Sequence, residues 1–409
     1  MTNLVPIQPG KRIQSLDILR GIAVLGILLM NAQSFSMINA AYINPTAFGD
    51  FSGINKVIWI IIHVVADQKF LGLFSVLFGA GIILFTEKAI EKGKKAGSLH
   101  YKRMFFLLLF GLLHAYLLWH GDILVSYALC GLWVFLFRRK SVKTLWTWGI
   151  IFMLVPLFIY LMSGFSLDYM PEESVQQIMK AWKPGEEAIQ EELMAFRGSW
   201  LEQMEMRARH AFEFQTFIFL IYMGWKITGL MLIGMALYKA GILSNQKSAG
   251  YYVKLAVFGV IAGFFLSGYG VLKNIHNQWS LEYSMYFGSM FNYVGSVFTL
   301  LGYTGIIMLL VRKRFMKFLF QKVGSLAFTN YILETAIFTA IFYGHGLGFF
   351  GSMNRLNQLL LVLATWVVIV FFSRIWLKYF RFGPLEWLWR SLTYGKLVPI
   401  RLDPETQNP

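Results

Sequence analysis

The chain alternates long apolar runs with short polar connections. Ten of these runs have about the length that a membrane-crossing helix needs, roughly 17–25 residues. They cover residues 17–38, 54–87, 104–120, 122–137, 144–163, 213–238, 253–272, 285–311, 323–344 and 357–378. We therefore predict an all-α, polytopic membrane protein with about ten transmembrane helices, in which residues 1–409 form a single transmembrane domain.

The second run is too long for one simple helix, and Asp67, Gln68 and Lys69 interrupt it. Two crossings here would put the basic stretch 88–103 outside the cell, against the rule that basic loops stay on the cytoplasmic side. The run is therefore expected to cross once. Either its first part, near 54–69, is re-entrant or interfacial, or the whole run is one long broken helix.

The composition agrees with a membrane protein and excludes other classes. Hydrophobic residues make up 57% of the chain and charged residues 14%, whereas a soluble domain carries about 25% charged residues. Cys130 is the only cysteine, so neither an internal disulfide nor a metal site of thiolates can form. The net charge of +16 favours contact with anionic membrane lipids over contact with nucleic acid. We predict no metal.

With ten crossings, most Lys and Arg residues fall on the cytoplasmic side, among them Lys11, Arg12 and Arg20. Both termini are then cytoplasmic, in a bacterial plasma membrane. The stretch Met1–Leu16 lacks a cleavable signal pattern, because no small-residue cleavage site follows the apolar run.

The long acidic connection 164–212 is extracellular in this arrangement. We expect a helical lid of one or two helices there rather than a plain linker, with Pro171 and Pro184 near the helix starts. Five apolar side chains give these helices a face to bury, namely Trp182, Met194, Phe196, Trp200 and Leu201.

The C-terminal segment 379–409 is expected on the cytoplasmic side. Its stretch FRFGPLEWLWRSLTYGK, which begins at Phe380, mixes aromatic and basic residues in the way that is typical of a membrane interface. We expect an interfacial segment; docking against the helical body is the alternative.

A polar stripe runs along the first span. Asp17 and Arg20 are three residues apart, and Asn31 lies eleven residues after Arg20, which is about three helical turns and returns to the same face. Asp17 could cap the helix and Arg20 could reach lipid phosphate instead. Asn31 is harder to explain that way, because an amide at membrane depth needs a partner.

The third span repeats this spacing with Arg103 and His114. Arg103 would lie at the inner surface, where a guanidinium can hold a phosphate. His114 would lie about 16 Å deeper, as a general base or acid or as a structural histidine. At the short turn that follows, His120 precedes Asp122, which could orient a histidine, bind a cationic acceptor or cap the next helix.

Other polar groups at membrane depth are candidates for a substrate or proton path. Asn330 and Glu334 share one helix face, and a Lys226–Glu334 ion pair would satisfy both charges. His63, near Asp67, could line an outer cavity.

The chain resembles the DUF418 family of bacterial membrane proteins, also called YeiB-like. Five segments carry the resemblance, which covers nearly the whole chain. They are LDILRGIAVLGILLMN (16–31), LFSVLFGAG (73–81), LFGLLHAYLLWHGDILVSYALCG (109–131), LAFTNYILET (326–335) and FGPLEWLWRSLTYG (382–395).

The family is distantly similar to transmembrane acyltransferases, namely the acyltransferase-3 proteins and the heparan-α-glucosaminide N-acetyltransferase. The latter begins its first span with Asp-x-x-Arg-Gly and an Asn fourteen residues after the Asp, as Asp17, Arg20, Gly21 and Asn31 do here. The acyltransferase-3 proteins carry a histidine late in that span, where Asn31 or its neighbour stands here.

The resemblance implies acyl transfer from cytoplasmic acyl-CoA, such as acetyl-CoA, to an extracytoplasmic acceptor in the cell envelope. Arg20, Arg103 and Asp17 would then bind the donor. His114 would be the base, Asn31 would stabilise the oxyanion and Asp122 would orient the acceptor.

A proton-coupled transporter or exporter that uses Lys226, Glu334 and His114 is the alternative, and a non-catalytic lipid-binding or scaffold protein is a third hypothesis. Glycine-rich spans would also allow a homodimer.

Overall fold

The computed structural model describes residues 13–402; Lys11 and Arg12 lie outside this range. The described residues form eighteen α-helices. The first nine are α1 (Gln14–Ser36), α2 (Asn39–Ile43), α3 (Gly53–Val65), α4 (Lys69–Glu91), α5 (Ala96–Leu117), α6 (Leu124–Val134), α7 (Val142–Ser166), α8 (Glu172–Trp182) and α9 (Glu186–Arg197). The others are α10 (Gln203–Glu213), α11 (Gly224–Lys239), α12 (Ala249–His276), α13 (Ser289–Leu310), α14 (Arg314–Met316), α15 (Lys322–Ser325), α16 (Ala327–Phe342), α17 (Arg355–Tyr379) and α18 (Pro384–Tyr394).

Within residues 13–402, seven helical segments are long and apolar enough to cross a membrane. The count rises to eight if the bent pair Arg314–Ser325 and Ala327–Phe342 is one span. Helix α5 and the shorter segment Leu124–Phe137 are not among them, although each of the ten apolar runs contains helix. The chain is therefore a polytopic helical protein with the character of a membrane protein.

The second apolar run, residues 54–87, forms one broken helix. Helices α3 and α4 together form a single candidate span, Gly53–Glu91, interrupted between Val65 and Lys69. Gln68 has a φ of 65°, in the left-handed region that non-glycine residues rarely adopt. This interruption removes helical hydrogen bonds and turns the polar residues 67–69 into the protein.

Helix α1 is the central helix of the bundle, because it packs against α4, α13, α15, α16 and α17. Its apolar residues lie on all sides, and most of them are buried. A helix that is apolar all round and buried belongs inside a bundle. In contrast, only 17% and 22% of the residues in the most apolar 18-residue stretches of α7 and α17 are buried. The remaining faces of these two helices are available to lipid.

Close contact between α1 and α15 fixes the bend that precedes α16. A Cβ on Gly324 would lie 1.8 Å from the carbonyl oxygen of Asp17, and one on Gly21 would lie 2.1 Å from that of Phe320. Only glycine fits such an approach. The chain then turns by 81° into α16, which also packs against α1.

The connection after α7 folds into three helices, α8 to α10, rather than one or two. Trp182 and Phe196 are buried as expected, whereas Met194 and Leu201 are 67% and 73% exposed, contrary to the expectation. Hydrogen bonds tie these helices to other loops: Trp182 Nε1 donates to the Trp279 carbonyl at 2.9 Å.

The C-terminal segment docks against the helical body, which the sequence left open as an alternative. Glu386 of α18 accepts hydrogen bonds from the backbone N–H groups of Phe328 and Thr329 at 2.8 and 3.1 Å. A carboxylate is stabilised at a helix N-terminus such as that of α16. Trp389 Nε1 donates to the Arg103 carbonyl at 2.9 Å, so α18 joins α16 to α5.

Candidate functional site, a cavity with a basic end

A cavity of about 320 Å³ lies between α1, α4, α5, α6, α16 and α18. Most of its wall is apolar, with side chains such as Val24, Leu77 and Leu107. Along α1 the wall runs from Asp17 to Ile27, a distance of about 15 Å at 1.5 Å per residue. The cavity is therefore long enough for an extended organic molecule.

One end of the cavity, called the basic end below, is strongly cationic. Seven cationic side chains line the cavity, namely Arg20, Lys88, Lys92, Lys94, Arg103, Arg390 and Lys396. The carboxylates of the wall are Asp17 and Glu386. The excess of positive charge favours a ligand whose polar end is anionic.

Asp17, Arg20 and Arg103 all lie in the wall at the basic end, where the sequence placed donor binding. Arg20 donates to Asp17 Oδ1 at 3.0 Å, and Asp17 Oδ2 is buried without a hydrogen-bond partner among the described residues. The Arg103 guanidinium lies 4.8 Å from the Phe85 ring and 4.4 Å from the Trp389 ring. Such contacts hold a guanidinium without using its hydrogen bonds.

The opposite end, called the inner end below, is lined by Ile27, Ile123, Leu124, Tyr127 and Tyr331. His114 lies behind Tyr331, and the centroids of their rings are 5.1 Å apart. His114 itself does not line the cavity and contacts a residue that does.

A hydrogen-bonded chain of three side chains lies there. His114 Nδ1 is 2.7 Å from Asp122 Oδ2, and His114 Nε2 is 3.0 Å from Thr335 Oγ1. All three residues are at most 3% exposed. With Asp122 ionised, Nδ1–H donates to it, and Nε2 is left to accept from the Thr335 hydroxyl whenever that hydroxyl turns away from the Tyr331 carbonyl, to which it donates at 3.2 Å. This is the carboxylate–imidazole–hydroxyl order in which a histidine acts as a base.

A family model described as "Protein of unknown function (DUF418)" matches residues 237–396. The chain is 35% identical over 397 residues to the uncharacterized protein YeiB of Escherichia coli (strain K12), which covers 94% of this chain and 97% of that protein. It is 32% identical over 421 residues to the uncharacterized protein YxaH of Bacillus subtilis (strain 168), which covers 98% of each. The chain belongs to the DUF418 family of YeiB-like proteins. No solved structure matches it.

All five segments that carry the family resemblance contribute to the cavity wall of this DUF418 protein. One residue represents each segment in the wall, in chain order Arg20, Phe78, Tyr127, Tyr331 and Trp389. Segments that are far apart in the sequence therefore meet around one space, which makes the cavity the leading candidate for the functional site.

Asn31 does not belong to this site, which corrects the predicted role in stabilising an oxyanion. It is half-buried and does not line the cavity. Ile27, Met30 and Phe70 form an apolar cluster beyond the inner end, and the Phe70 ring packs directly on Gly26. Asp17, Arg20 and Asn31 lie on one continuous helix, as predicted. However, packing between α1 and α4 closes the cavity before it reaches Asn31.

The predicted ion pair between Lys226 and Glu334 is wrong. Lys226 instead donates to Gln68 Oε1 and, at 3.3 Å, to the Tyr222 hydroxyl. Glu334 is 2% exposed, and its Oε1 has no partner among residues 13–402.

Asn330 has a structural role at the bend. Its Nδ2 donates to the Val323 carbonyl at 3.0 Å and to Ser373 Oγ at 2.9 Å. These contacts join α15 and α16 to α17.

His63 belongs to a buried polar network at the break between α3 and α4. His63 Nδ1 is 3.1 Å from Asp67 Oδ2, which also accepts from Asn292 Nδ2 at 2.8 Å. Lys69 donates to Asn292 Oδ1 and, at 2.8 Å, to the His63 carbonyl. The network contains no residue of the cavity wall, so it is a separate feature.

His120 lies beside the helices of the insertion. Its ring centroid is 5.0 Å from that of His210 and 5.8 Å from that of Phe196. Within the described range, no group of three or more His, Cys, Asp or Glu residues is arranged to hold a metal ion.

Thr335 and Tyr331 are site residues that the sequence did not single out. They lie four residues apart within LAFTNYILET, so a shared helix face was the available signal. The partner of Thr335 is His114, which is 221 residues away in the sequence, and no local pattern predicts that contact.

Proposed function

We propose that this DUF418 protein is a membrane-embedded acyltransferase that moves an acyl group from acyl-CoA to an acceptor in the cell envelope. The proposal rests on the cavity. Its basic end suits the phosphates of the donor. At its inner end, the Tyr331 ring packs against His114, which forms a hydrogen-bonded chain with Asp122 and Thr335.

In this proposal Arg20 and Arg103 bind donor phosphates by charge-assisted hydrogen bonds. Asp17 keeps the Arg20 side chain in position through their contact of 3.0 Å. The arm of the donor extends along α1 for about 15 Å, which brings its thioester to Tyr331.

The chemistry is a direct transfer. His114 takes the proton of an acceptor hydroxyl or amine through the Thr335 hydroxyl, and Asp122 stabilises the resulting imidazolium. The acceptor oxygen or nitrogen attacks the thioester carbonyl carbon, and the carbon–sulfur bond breaks. His114 then returns the proton to the thiolate of coenzyme A, so the products are the acylated acceptor and the free thiol.

The proposed setting is the bacterial plasma membrane, with ten crossings and both termini in the cytoplasm. The basic end of the cavity would then open to the cytoplasm, where acyl-CoA is made. Helices α8 to α10 would form an extracellular lid, beneath which the acceptor arrives.

Binding and transfer can be tested with purified protein in lipid nanodiscs. We expect acetyl-CoA to bind and expect cells with His114→Ala to lose an acylated envelope product. His276→Ala, at the end of α12, is the matched control and should keep both. Protein that fails to bind acetyl-CoA, together with an unchanged envelope in His114→Ala cells, would contradict the proposal.

Proton-coupled transport is a second candidate, because Glu334 is a buried carboxyl whose Oε1 has no partner among residues 13–402. Such a group at membrane depth can bind and release a proton. Transport predicts proton uptake into proteoliposomes with a pH gradient and its loss in Glu334→Gln. Acyl transfer predicts no such flux.

A further inference from the structure

The arginines of the basic end lie beside two successive turns of α4. A Cβ on Gly81 would lie 3.9 Å from Nη2 of Arg20. The Arg103 guanidinium lies 4.8 Å from the ring of Phe85, which is four residues, or about one turn, further toward the end of α4. Both arginines are half-buried and line the cavity, so they can contact a ligand in it.

Positive charge continues along α4 beyond the arginines. Lys88 and Lys92 line the cavity and follow Phe85 by three and seven residues, which places them about one and two turns further out. The cationic stretch beside α4 therefore runs from Gly81 to Lys92, roughly 16 Å. The two phosphorus atoms of a pyrophosphate share one oxygen, so a pyrophosphate alone covers only about one turn of this stretch.

Two exposed lysines extend the cationic wall at the mouth of the cavity. Lys94 follows α4 and Lys396 follows α18, and both line the cavity. Each comes directly after a glycine in the left-handed region, Gly93 with a φ of 65° and Gly395 with a φ of 66°. The backbone N–H of each lysine donates to a carbonyl of the preceding helix, at 2.9 and 3.1 Å. These helix caps fix the backbone from which each lysine reaches the mouth.

The carboxylates of the wall are engaged elsewhere. Asp17 contacts Arg20 at 3.0 Å, and Glu386 accepts hydrogen bonds from the backbone N–H groups at the start of α16. Cations therefore outnumber carboxylates over the whole length of the stretch. This distribution of charge favours a ligand with anionic groups at two separate places.

We infer that Lys92, Lys94 and Lys396, called the outer lysines below, form a second anion subsite that binds a phosphate monoester separate from the pyrophosphate. The inference rests on the proposed function, in which the arginines bind the pyrophosphate of acyl-CoA. The second phosphate is then the 3′-phosphate on the ribose of the donor, which carries about −1.5 to −2 charge at pH 7. The outer lysines therefore make the site specific for donors that carry this phosphate.

Two probes isolate the second phosphate. Acetyl-CoA and acetyl-dephospho-CoA differ only in the 3′-phosphate, and both are titrated into protein in phosphatidylcholine nanodiscs, which contain no anionic lipid. A single exposed charge pair contributes little, so three lysines together predict that wild-type protein binds acetyl-CoA about tenfold more tightly. Raising the salt concentration from about 50 to 500 mM should reduce this preference, because salt screens exposed charges.

A double variant and a matched control assign the preference to the outer lysines. Lys94→Ala/Lys396→Ala should lower the preference to about two- to threefold by weakening acetyl-CoA binding alone, with the affinity for acetyl-dephospho-CoA unchanged. Lys95→Ala/Lys102→Ala removes the same charge from exposed positions that do not line the cavity. This control should keep the tenfold preference.

The outcomes separate the inference from the proposed function. If wild-type protein binds the two probes equally, or the two double variants have the same preference, the inference fails although the donor assignment stands. If the outer lysines instead hold lipid headgroups, the two probes bind equally, and Lys94→Ala/Lys396→Ala co-purifies with less phosphatidylglycerol than Lys95→Ala/Lys102→Ala. If wild-type protein binds neither probe, the proposed donor and the inference both fail.

Discussion

Asp122 holds His114 with one carboxylate oxygen and caps α6 with the other. Its Oδ2 is 2.7 Å from His114 Nδ1, and its Oδ1 accepts from the Val125 N–H at 2.8 Å. The sequence left open whether Asp122 caps a helix or orients a histidine, and the structure shows both contacts. The start of α6 therefore fixes the position of the imidazole behind the cavity.

Asp122→Asn should separate these two contacts. The amide oxygen of Asn can still cap α6, but its N–H₂ group faces Nδ1 and moves the histidine proton to Nε2. Nε2 then cannot accept the Thr335 proton, so we expect release of coenzyme A thiol from acetyl-CoA to fall by about 10²–10⁴-fold. The melting temperature should stay close to that of the wild type. Asp168→Asn, in the insertion, should leave activity unchanged; wild-type turnover in Asp122→Asn would exclude a role for the histidine tautomer.

Arg103→Ala should weaken donor binding at the basic end. Loss of charge-assisted hydrogen bonds to phosphate costs about 1.5–3 kcal/mol, so the Kd for acetyl-CoA should rise by about one to two orders of magnitude. Arg138→Ala is the control, since Arg138 also stacks on a ring, that of Phe135 at 3.7 Å, but lies outside the cavity wall. The Kd is measured by isothermal titration calorimetry. Equal Kd values of Arg103→Ala and Arg138→Ala for acetyl-CoA would contradict a role of Arg103 in donor binding.

Gly324→Ala should destabilise the contact between α1 and α15. The new Cβ would lie 1.8 Å from the Asp17 carbonyl oxygen, and overpacking of this kind costs about 1–3 kcal/mol. We expect a lower melting temperature, measured by intrinsic fluorescence in detergent. Gly268→Ala in α12, where a Cβ meets nothing within 4 Å, should leave it unchanged or raise it. Equal melting temperatures for both variants would show that α1 and α15 are not closely packed.

Glu192 should make stability depend on pH on the insertion side. Burial raises the pKa of Glu192 to about 7, although its hydrogen bond from the Asn39 N–H opposes this. The folded state therefore binds the proton more tightly than the unfolded state. Its stabilising effect is complete below the usual pKa of about 4.5 and is lost as the pH rises through 7.

The measurement is the melting temperature between pH 4.5 and 8 for wild-type, Glu192→Gln and Glu187→Gln protein. The wild-type value should fall over this range by a few degrees more than that of Glu192→Gln. Glu187 is exposed on the same helix, so Glu187→Gln should behave as the wild type. Parallel curves for wild-type and Glu192→Gln protein would refute the assignment.

The sequence predicts those parts of the site that lie on one helix or one turn. Asp17 and Arg20 are in contact because they are three residues apart, and Arg103 and His114 share a face because eleven residues make about three turns. Asp122 reaches His114 because a short turn joins α5 to α6. Each of these relations follows from local geometry, and hydrophobic run length likewise predicts the helices.

Relations between distant segments could not be predicted in this way. Lys226 contacts Gln68 rather than Glu334, because the left-handed conformation of Gln68 breaks the helix and turns its side chain inward. Trp389 reaches Arg103 because Glu386 docks α18 on the start of α16. No periodic pattern in the sequence predicts either contact. The failure at Asn31 has the same origin, since packing of Phe70 on Gly26 is a contact between two helices.

The most direct test of the account is an experimental density map of the protein in nanodiscs with acetyl-CoA. We predict density inside the cavity, with phosphates next to Arg20 and Arg103 and the thioester next to Tyr331. An empty cavity, a membrane lipid in it, or nucleotide density elsewhere on the protein would contradict the account.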